Sequence, residues 1–307
     1  MSKPRECIVG AGLAGLIAAH AWPRATVMEV APQPAASHRA LLRFRTDAVS
    51  TLTGVPFKQV RVNKSVWFRG RHGAADIRTA NMYTQKVLGS LVGDRSIWNT
   101  TPVDRYVAPE SLYEQLIESV GPRLLWGTAA DYEATSATRQ LLVNTAPLPV
   151  VLDALHINYE QEFRRAPIAV ARYRVPGANV FQTVYFPTHE HSVYRASITG
   201  DLLIVEHAGE EHNGDWLDDV LMAFGLNHAD FIDFNSQRYG KIVDVDPAWR
   251  KQKLLSLTTH FNIYSLGRFA TWRNILLDDV VHDITVIKAM VRNTGGDYDR
   301  HRSALGS

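Results

Sequence analysis

Apolar positions along the 307-residue chain fall into short unbroken runs and longer stretches with a helical period. Residues 6–9 (ECIV), 25–30 (ATVMEV) and 139–145 (RQLLVNT) read as buried strands. Between the first two lies a glycine-rich turn, then a helix to about Trp22, stopped by Pro23, which lacks an amide and restricts its predecessor. A helix is predicted from Pro109 to Val120, with proline near its first position, Glu110 in its first turn, and Leu112, Leu116, Ile117 and Val120 on one face. Pro147 and Pro149 close the third strand, and a helix-like segment follows to Leu155. Residues 166–206 hold four β-like runs separated by turns: Ile168–Val175, Val180–Phe186, Val193–Ile198 and Leu202–Glu206. An antiparallel sheet is expected there. A helix is predicted over 214–227, a strand at Lys253–Leu257, and a last helix at Leu277–Val291, ahead of a polar tail from Asn293. Residues 31–45 read as a loop, and 46–122 as short β-like runs such as Lys64–Arg69 among basic turns.

With 46% apolar and 21% charged residues, the chain can bury a substantial core, and its composition is not that of a disordered chain. No run of about 18 apolar residues suggests a membrane span. The sequence enters a strand and a glycine turn almost at once, so no secretory leader is expected, and a reducing cytoplasmic setting fits the lone cysteine, Cys7. Cys7 itself reads as a small buried hydrophobe. The net charge of +2 hides an asymmetry. Residues 39–105 carry 12 Lys/Arg against 4 Asp/Glu, leaving the remainder acidic. Such a segment is either a solvated basic face or the seat of an anionic partner, a phosphate-bearing small molecule or a nucleic acid. Trp67, Phe68, Tyr83, Trp98 and Tyr106 are interleaved with it, as stacking against bases would require, although each ring alone reads equally as core.

The turn Gly10-Ala11-Gly12-Leu13-Ala14-Gly15 has the context that a dinucleotide site demands: a strand before, a helix after, and an acid, Glu29, ending the next strand. Gly10 permits the tight turn, Gly12 lets backbone approach a pyrophosphate, and Gly15 lets the helix pack on the strand. The helix opening offers free amides and partial positive charge. Glu29 is placed to accept ribose hydroxyls and disfavours a 2′-phosphate. His189-Glu190-His191 lacks further ligands at fixed spacing and reads as a polar turn, so no metal site is expected.

The opening IVGAGLAGLIAAHAWPRATVMEVAP resembles the FAD-containing amine oxidase and UDP-galactopyranose mutase superfamily. An NAD dehydrogenase would be expected to continue with regular βα units after residue 30. Further blocks carry the resemblance: Leu142-Val143-Asn144-Thr145-Ala146-Pro147-Leu148, like the strand by which such chains re-enter the FAD domain; Tyr185-Phe186-Pro187, Tyr194-Arg195 and Glu206, like the YFP…YR…E pattern of mutase-like proteins; and Ser265-Leu266-Gly267-Arg268-Phe269 with Trp272 and Asp278, like their C-terminal segment. Together they cover about a third of the chain. The resemblance implies an α/β fold, a Rossmann-like FAD-binding domain of the GR2 type (1–45, 123–160, 253–292) interleaved with an antiparallel-sheet substrate domain (46–122, 161–252). It implies FAD contacts from Gly10, Gly12, Leu13, Ala14, Gly15, Glu29, Gly267, Arg268, Trp272, Asp278 and Asp279, with the helix N-terminus near Asp279 facing the flavin. Arg195, Tyr185 and Tyr194 become the candidate catalytic residues, Arg195 as the fork for a substrate carboxylate or phosphate.

The chain is shorter than a typical mutase, which counts against sugar-nucleotide ring contraction. The stretch Asn81-Met82-Tyr83 through Asp104-Arg105-Tyr106-Val107-Ala108-Pro109 resembles compact bacteriophage flavoproteins, some from pathways that hypermodify thymidine in DNA. That resemblance implies oxidation of an amino-acid adduct, such as glycine joined to the thymine methyl carbon, giving aminomethyl-deoxyuridine and glyoxylate, with DNA as the partner. A mutase-like isomerase on a nucleotide sugar and a non-catalytic flavin-binding protein are the alternatives.

Overall fold

The structure is a computed structural model that describes residues 6–34, 41–93, 96–137, 141–209 and 216–304. Arg139, the first two residues of the helix expected at 214–227, and Arg39, Asp94 and Arg95 of the basic segment lie outside the described residues.

Five strands form a parallel sheet in the order Ile263–Ser265, Leu141–Asn144, Glu6–Val9, Thr26–Met28, Leu124–Leu125. The three that flank the glycine turn are the runs read from sequence. The helix Leu13–Ala21 crosses between the first two in chain order. It is buried almost all round, with Leu16, Ile17, Ala18 and Ala19 fully inaccessible. The sheet lies on one side, and the helices Leu112–Val120 and Leu277–Ala304 pack against it. Its small residues follow from that crowding: a helix enclosed on every side leaves little room for bulk.

A second sheet of nine strands runs Asp230–Ile242, Arg165–Arg174, Leu202–Ala208, Val193–Gly200, Val180–Tyr185, Lys58–Phe68, Val103–Val107 and Arg43–Phe44, with Arg71–Gly73 paired beside Lys58–Phe68. All its pairings are antiparallel except one. The four runs read over 166–206 pair antiparallel as expected, and the sheet as a whole is mixed because Val180–Tyr185 runs parallel to Lys58–Phe68.

Other elements differ from expectation. Lys253–Leu257 is no strand but the middle of a helix, Pro247–Phe261. Asp246 caps that helix by accepting the Trp249 amide at 2.7 Å, and Pro247 sits where proline is tolerated. Residues 46–122 contain two unexpected helices, Ala48–Thr53 and Ile77–Leu88. The latter opens with a reciprocal Asp76–Thr79 capping box and closes on left-handed Gly89. The last helix continues through the expected polar tail to Ala304. Cys7 is half-buried. No described helix is long and apolar enough to cross a membrane.

Candidate functional site

The glycine turn is constrained at two positions and open at the third. Gly10 has φ +98°, and a Cβ there would stand 2.4 Å from Thr145 Oγ1. A Cβ on Gly15 would stand 1.9 Å from the Gly10 carbonyl oxygen. Both must be glycine if strand, turn and helix are to touch as they do. A Cβ on Gly12 would meet nothing within 4 Å. Gly12 is the N-cap of Leu13–Ala21 and provides no side-chain cap to the first amides of the helix.

Glu29 reaches back to this turn. Its Oε2 accepts the Ala11 amide at 2.7 Å and its Oε1 the Ala31 amide at 3.0 Å. Its backbone is held on both sides, by Leu125 O at 2.9 Å and the Thr128 amide at 2.8 Å. Each carboxylate oxygen keeps a second acceptor position.

The C-terminal segment closes on the same turn. Gly267, with φ +90°, would place a Cβ 3.0 Å from that of Ala14. Arg268 Nε and Nη2 donate to Ile275 O at 3.2 and 3.0 Å. Burial pushes its guanidinium below the usual arginine range, Tyr194 opposing and Arg195 adding to the shift. Asp278 is 9% exposed and accepts the Arg45 amide at 3.0 Å, the Thr46 amide at 2.9 Å and the Thr46 hydroxyl at 3.0 Å. Asp279 takes Arg45 Nη2 at 2.5 Å and the Leu276 amide at 2.8 Å. Asp278 therefore anchors the Arg45–Thr46 backbone and Asp279 the Arg45 side chain, roles the sequence did not suggest.

These segments enclose a cavity of about 770 Å³. Of the expected cofactor residues, Gly10, Gly12, Leu13, Ala14, Glu29, Gly267, Arg268 and Asp278 line it. Gly15 and Asp279 do not line it. Trp272 does not reach it. Its ring is 1% exposed, packs 4.7 Å from Phe163, and donates Nε1 to Val243 O at 3.0 Å, so it belongs to the core.

Arg43 also lines the cavity and was missed from sequence. It donates to the hydroxyls of Thr199 and Thr183 at 2.8 Å each, to Gln182 O at 3.1 Å, and to Ile198 O. No carboxylate lies within ion-pair distance of it among the described residues. Burial, with Arg195 next in effect, depresses its guanidinium to about 9.

Tyr185, Arg195 and Glu206 are cross-strand neighbours on three adjacent strands. Arg195 forks onto Glu206 through Nε and through Nη2, the latter at 2.6 Å, while the Tyr194 hydroxyl donates to Glu206 Oε1 at 3.1 Å. Arg195 Nη1 has no hydrogen-bond partner among the described residues. The three candidate catalytic residues thus come together, but beside the cavity lining rather than in it; Arg195 depresses both Arg43 and Arg268, which are in it. Burial raises the hydroxyls of Tyr185 and Tyr194 above the usual tyrosine range, Tyr194 strongly, with Glu206 adding and Arg195 opposing. Both stay protonated near neutrality and act as donors, not bases.

In the basic segment, Trp67 and Tyr83 are core rings, 7% and 6% exposed, and Tyr106 is half-buried against the core. Trp98 is exposed, and the guanidinium groups of Arg69 and Arg78 lie over the Phe68 ring, 5.3 and 5.4 Å from its centroid. His191 pairs with Asp219 at 3.0 Å, and no metal-ligating cluster occurs among the described residues.

The sequence matches no protein-family model and no curated protein. Comparison with solved structures shows the fold. The chain is similar to reduced UDP-galactopyranose mutase, with TM-score 0.62 at 14% identity over 95% of this chain and 94% of that one. An oxidoreductase from Methanosarcina mazei matches with TM-score 0.56 at 8% identity over 93% and 100% of the two chains. A geranylgeranyl bacteriochlorophyll reductase-like protein from Thermoplasma acidophilum matches with TM-score 0.51 at 12% identity over 95% and 79%. The architecture is therefore a Rossmann-like parallel sheet joined to a curled mixed sheet, as in these proteins.

Proposed function

We propose that this protein is an FAD-dependent oxidoreductase that oxidises an amino-acid adduct, glycyl-thymidine in DNA being the substrate that the sequence resemblance implies. The flavin part rests on one observation: the glycine turn and the Gly267–Asp278 segment, far apart in sequence, converge on one cavity whose volume falls in the ~300–1,000 Å³ range of ligand pockets. The residues fit the cofactor. Gly12 leaves open the space that a pyrophosphate needs, the amides of Leu13 and Ala14 would hold it, and the spare acceptor positions of Glu29 would take ribose hydroxyls. Residues 1–45, 123–160 and 253–292 form the FAD-binding part in this reading, and 46–122 with 161–252 the substrate part.

The chemistry that FAD supplies when bound is removal of a hydride, with its electron pair, from the glycyl α-carbon, after which water cleaves the substrate imine to the aminomethyl base and glyoxylate. The chain's own groups bind and orient. Arg195 Nη1 would take the glycyl carboxylate, with its fork to Glu206 fixing the guanidinium plane. Tyr185 would donate a hydrogen bond, while Tyr194 gives its one proton to Glu206 and steadies that carboxylate. Arg43 and Arg268 place positive charge on the wall of the cavity. Trp98, and Phe68 with its two arginines, suit contact with DNA.

A second reading has one specific observation behind it. The mutase-like fold and Arg43, with no carboxylate within ion-pair distance among the described residues, would equally suit the diphosphate of a nucleotide sugar in a mutase-like isomerisation. Anaerobic mixing separates the two. Glycyl-modified DNA should bleach the oxidised flavin stoichiometrically and release glyoxylate. Turnover of UDP-galactopyranose only after dithionite reduction would support the isomerase. No reaction with either would leave a non-catalytic flavin-binding protein.

A further inference from the structure

Lys86 lies on the buried side of the helix Ile77–Leu88, one turn beyond Tyr83. Tyr83 packs edge-on against Tyr185 and Tyr194, with ring centroids 5.6 and 6.0 Å apart. The Lys86 ammonium donates to three backbone carbonyls: Phe186 O at 3.1 Å, Thr188 O at 2.5 Å, and Val193 O. Two of these oxygens belong to the connection after the strand that ends at Tyr185, and the third to Val193, the first residue of the next strand. That connection is closed at its base by the Phe186 amide, which donates to Tyr194 O at 3.0 Å. Thus one side chain from another element ties the residue after Tyr185 to a residue two before Arg195.

We propose that Lys86 is a positioning residue. Its ammonium fixes the spacing between Tyr185 and Arg195, and so sets how tightly the acidic part of the substrate is held. This inference rests on the reading of Arg195 given above. An ammonium has three donors and uses all of them here; a neutral amine keeps two. The bond released first is the longest, to Phe186 O, which adjoins Tyr185. The acidic groups that act on Lys86 are Glu190, in the connection itself, and Asp219, on the helix Trp216–Phe224. Asp219 is held by Trp67 Nε1 at 2.7 Å and His191 Nε2 at 3.0 Å, and neither acid lies within ion-pair distance of Lys86. Burial therefore wins over both and lowers the ammonium to about 7.

The sign separates positioning from a plain structural role. A lysine depressed in the fold makes the folded state bind fewer protons than the unfolded one between about pH 7 and its ordinary value. Its contribution to stability therefore rises with pH across that window. Substrate binding should move the opposite way. For the flavin-loaded wild type, KM for glycyl-modified DNA should rise about tenfold between pH 6 and pH 8.5, the loss of roughly one charged hydrogen bond, while kcat follows the same pH profile as in Lys86→Met. Lys86→Met should show the high KM at both pH values. Parallel KM profiles in the two proteins would overturn the proposal. A second measurement needs no substrate: exchange of the Phe186 amide should be about tenfold faster in Lys86→Met, while that of Leu203 is unchanged. Equal Phe186 exchange in both proteins also overturns the proposal. If wild type oxidises no adduct, the assigned reaction fails, and the exchange rates alone decide Lys86.

Discussion

Glu29 accepts the Ala11 amide at 2.7 Å, joining the end of the second parallel strand to the turn after the first. The acid that would face the ribose is thus also a brace for the glycine turn. Glu29→Gln keeps one carbonyl oxygen and loses the charge, so it can serve only one of its present amides well. FAD affinity should fall about tenfold or more, measured by fluorescence titration, with little change in the fold.

Gly15 touches the Gly10 carbonyl through space that a methyl group would need. Gly15→Ala should lower stability by about 2–3 kcal/mol in urea unfolding, the cost of forcing backbone apart in a packed region. Gly12→Ala meets no atom and should leave stability nearly unchanged while weakening FAD binding. The reverse pattern would mean that the open side of the turn is not where the pyrophosphate lies.

Arg195 leaves a buried carboxylate behind when it is removed, since the Glu206 side chain is only 6% exposed. Arg195→Ala should retain FAD, lose activity, and cost about 2 kcal/mol of stability. Arg195→Ala with Glu206→Gln should recover most of the stability and none of the activity. Recovery of both would make the pair structural and leave the substrate carboxylate without its assigned partner.

Trp272 is the expected cofactor residue that the fold assigns elsewhere. Trp272→Phe keeps most of the packing against Phe163 and loses the bond to Val243 O. A stability loss of about 1–2 kcal/mol with unchanged FAD affinity is expected from isothermal denaturation and titration.

The parts legible in the sequence are those whose physics is local. The glycine turn, its flanking strands and Glu29 announce themselves because only glycine fits Gly10 and Gly15 and because period and position agree. The strands over 165–208 are apolar runs broken at turns, so they too are readable. Two kinds of feature were not. The helix Ile77–Leu88 is polar on average, and its signals are a capping box and a terminal glycine rather than an apolar run. Pro247–Phe261 shows the opposite problem: five residues, KLLSL, mimic a strand, whereas Asp246 and Pro247 mark the helix start. Long-range pairings escaped altogether. Nothing near Asp278 in sequence indicates that it binds the Arg45–Thr46 backbone, and nothing near Lys86 that its partners are carbonyls a hundred residues on.

The central claim is that a flavin dinucleotide lies against the helix that opens at Leu13. Purified protein incubated with FAD and desalted should carry one flavin per chain, seen in the visible absorbance bands, and Gly12→Ala should carry markedly less. Wild-type protein that stays colourless after the same treatment would contradict the account.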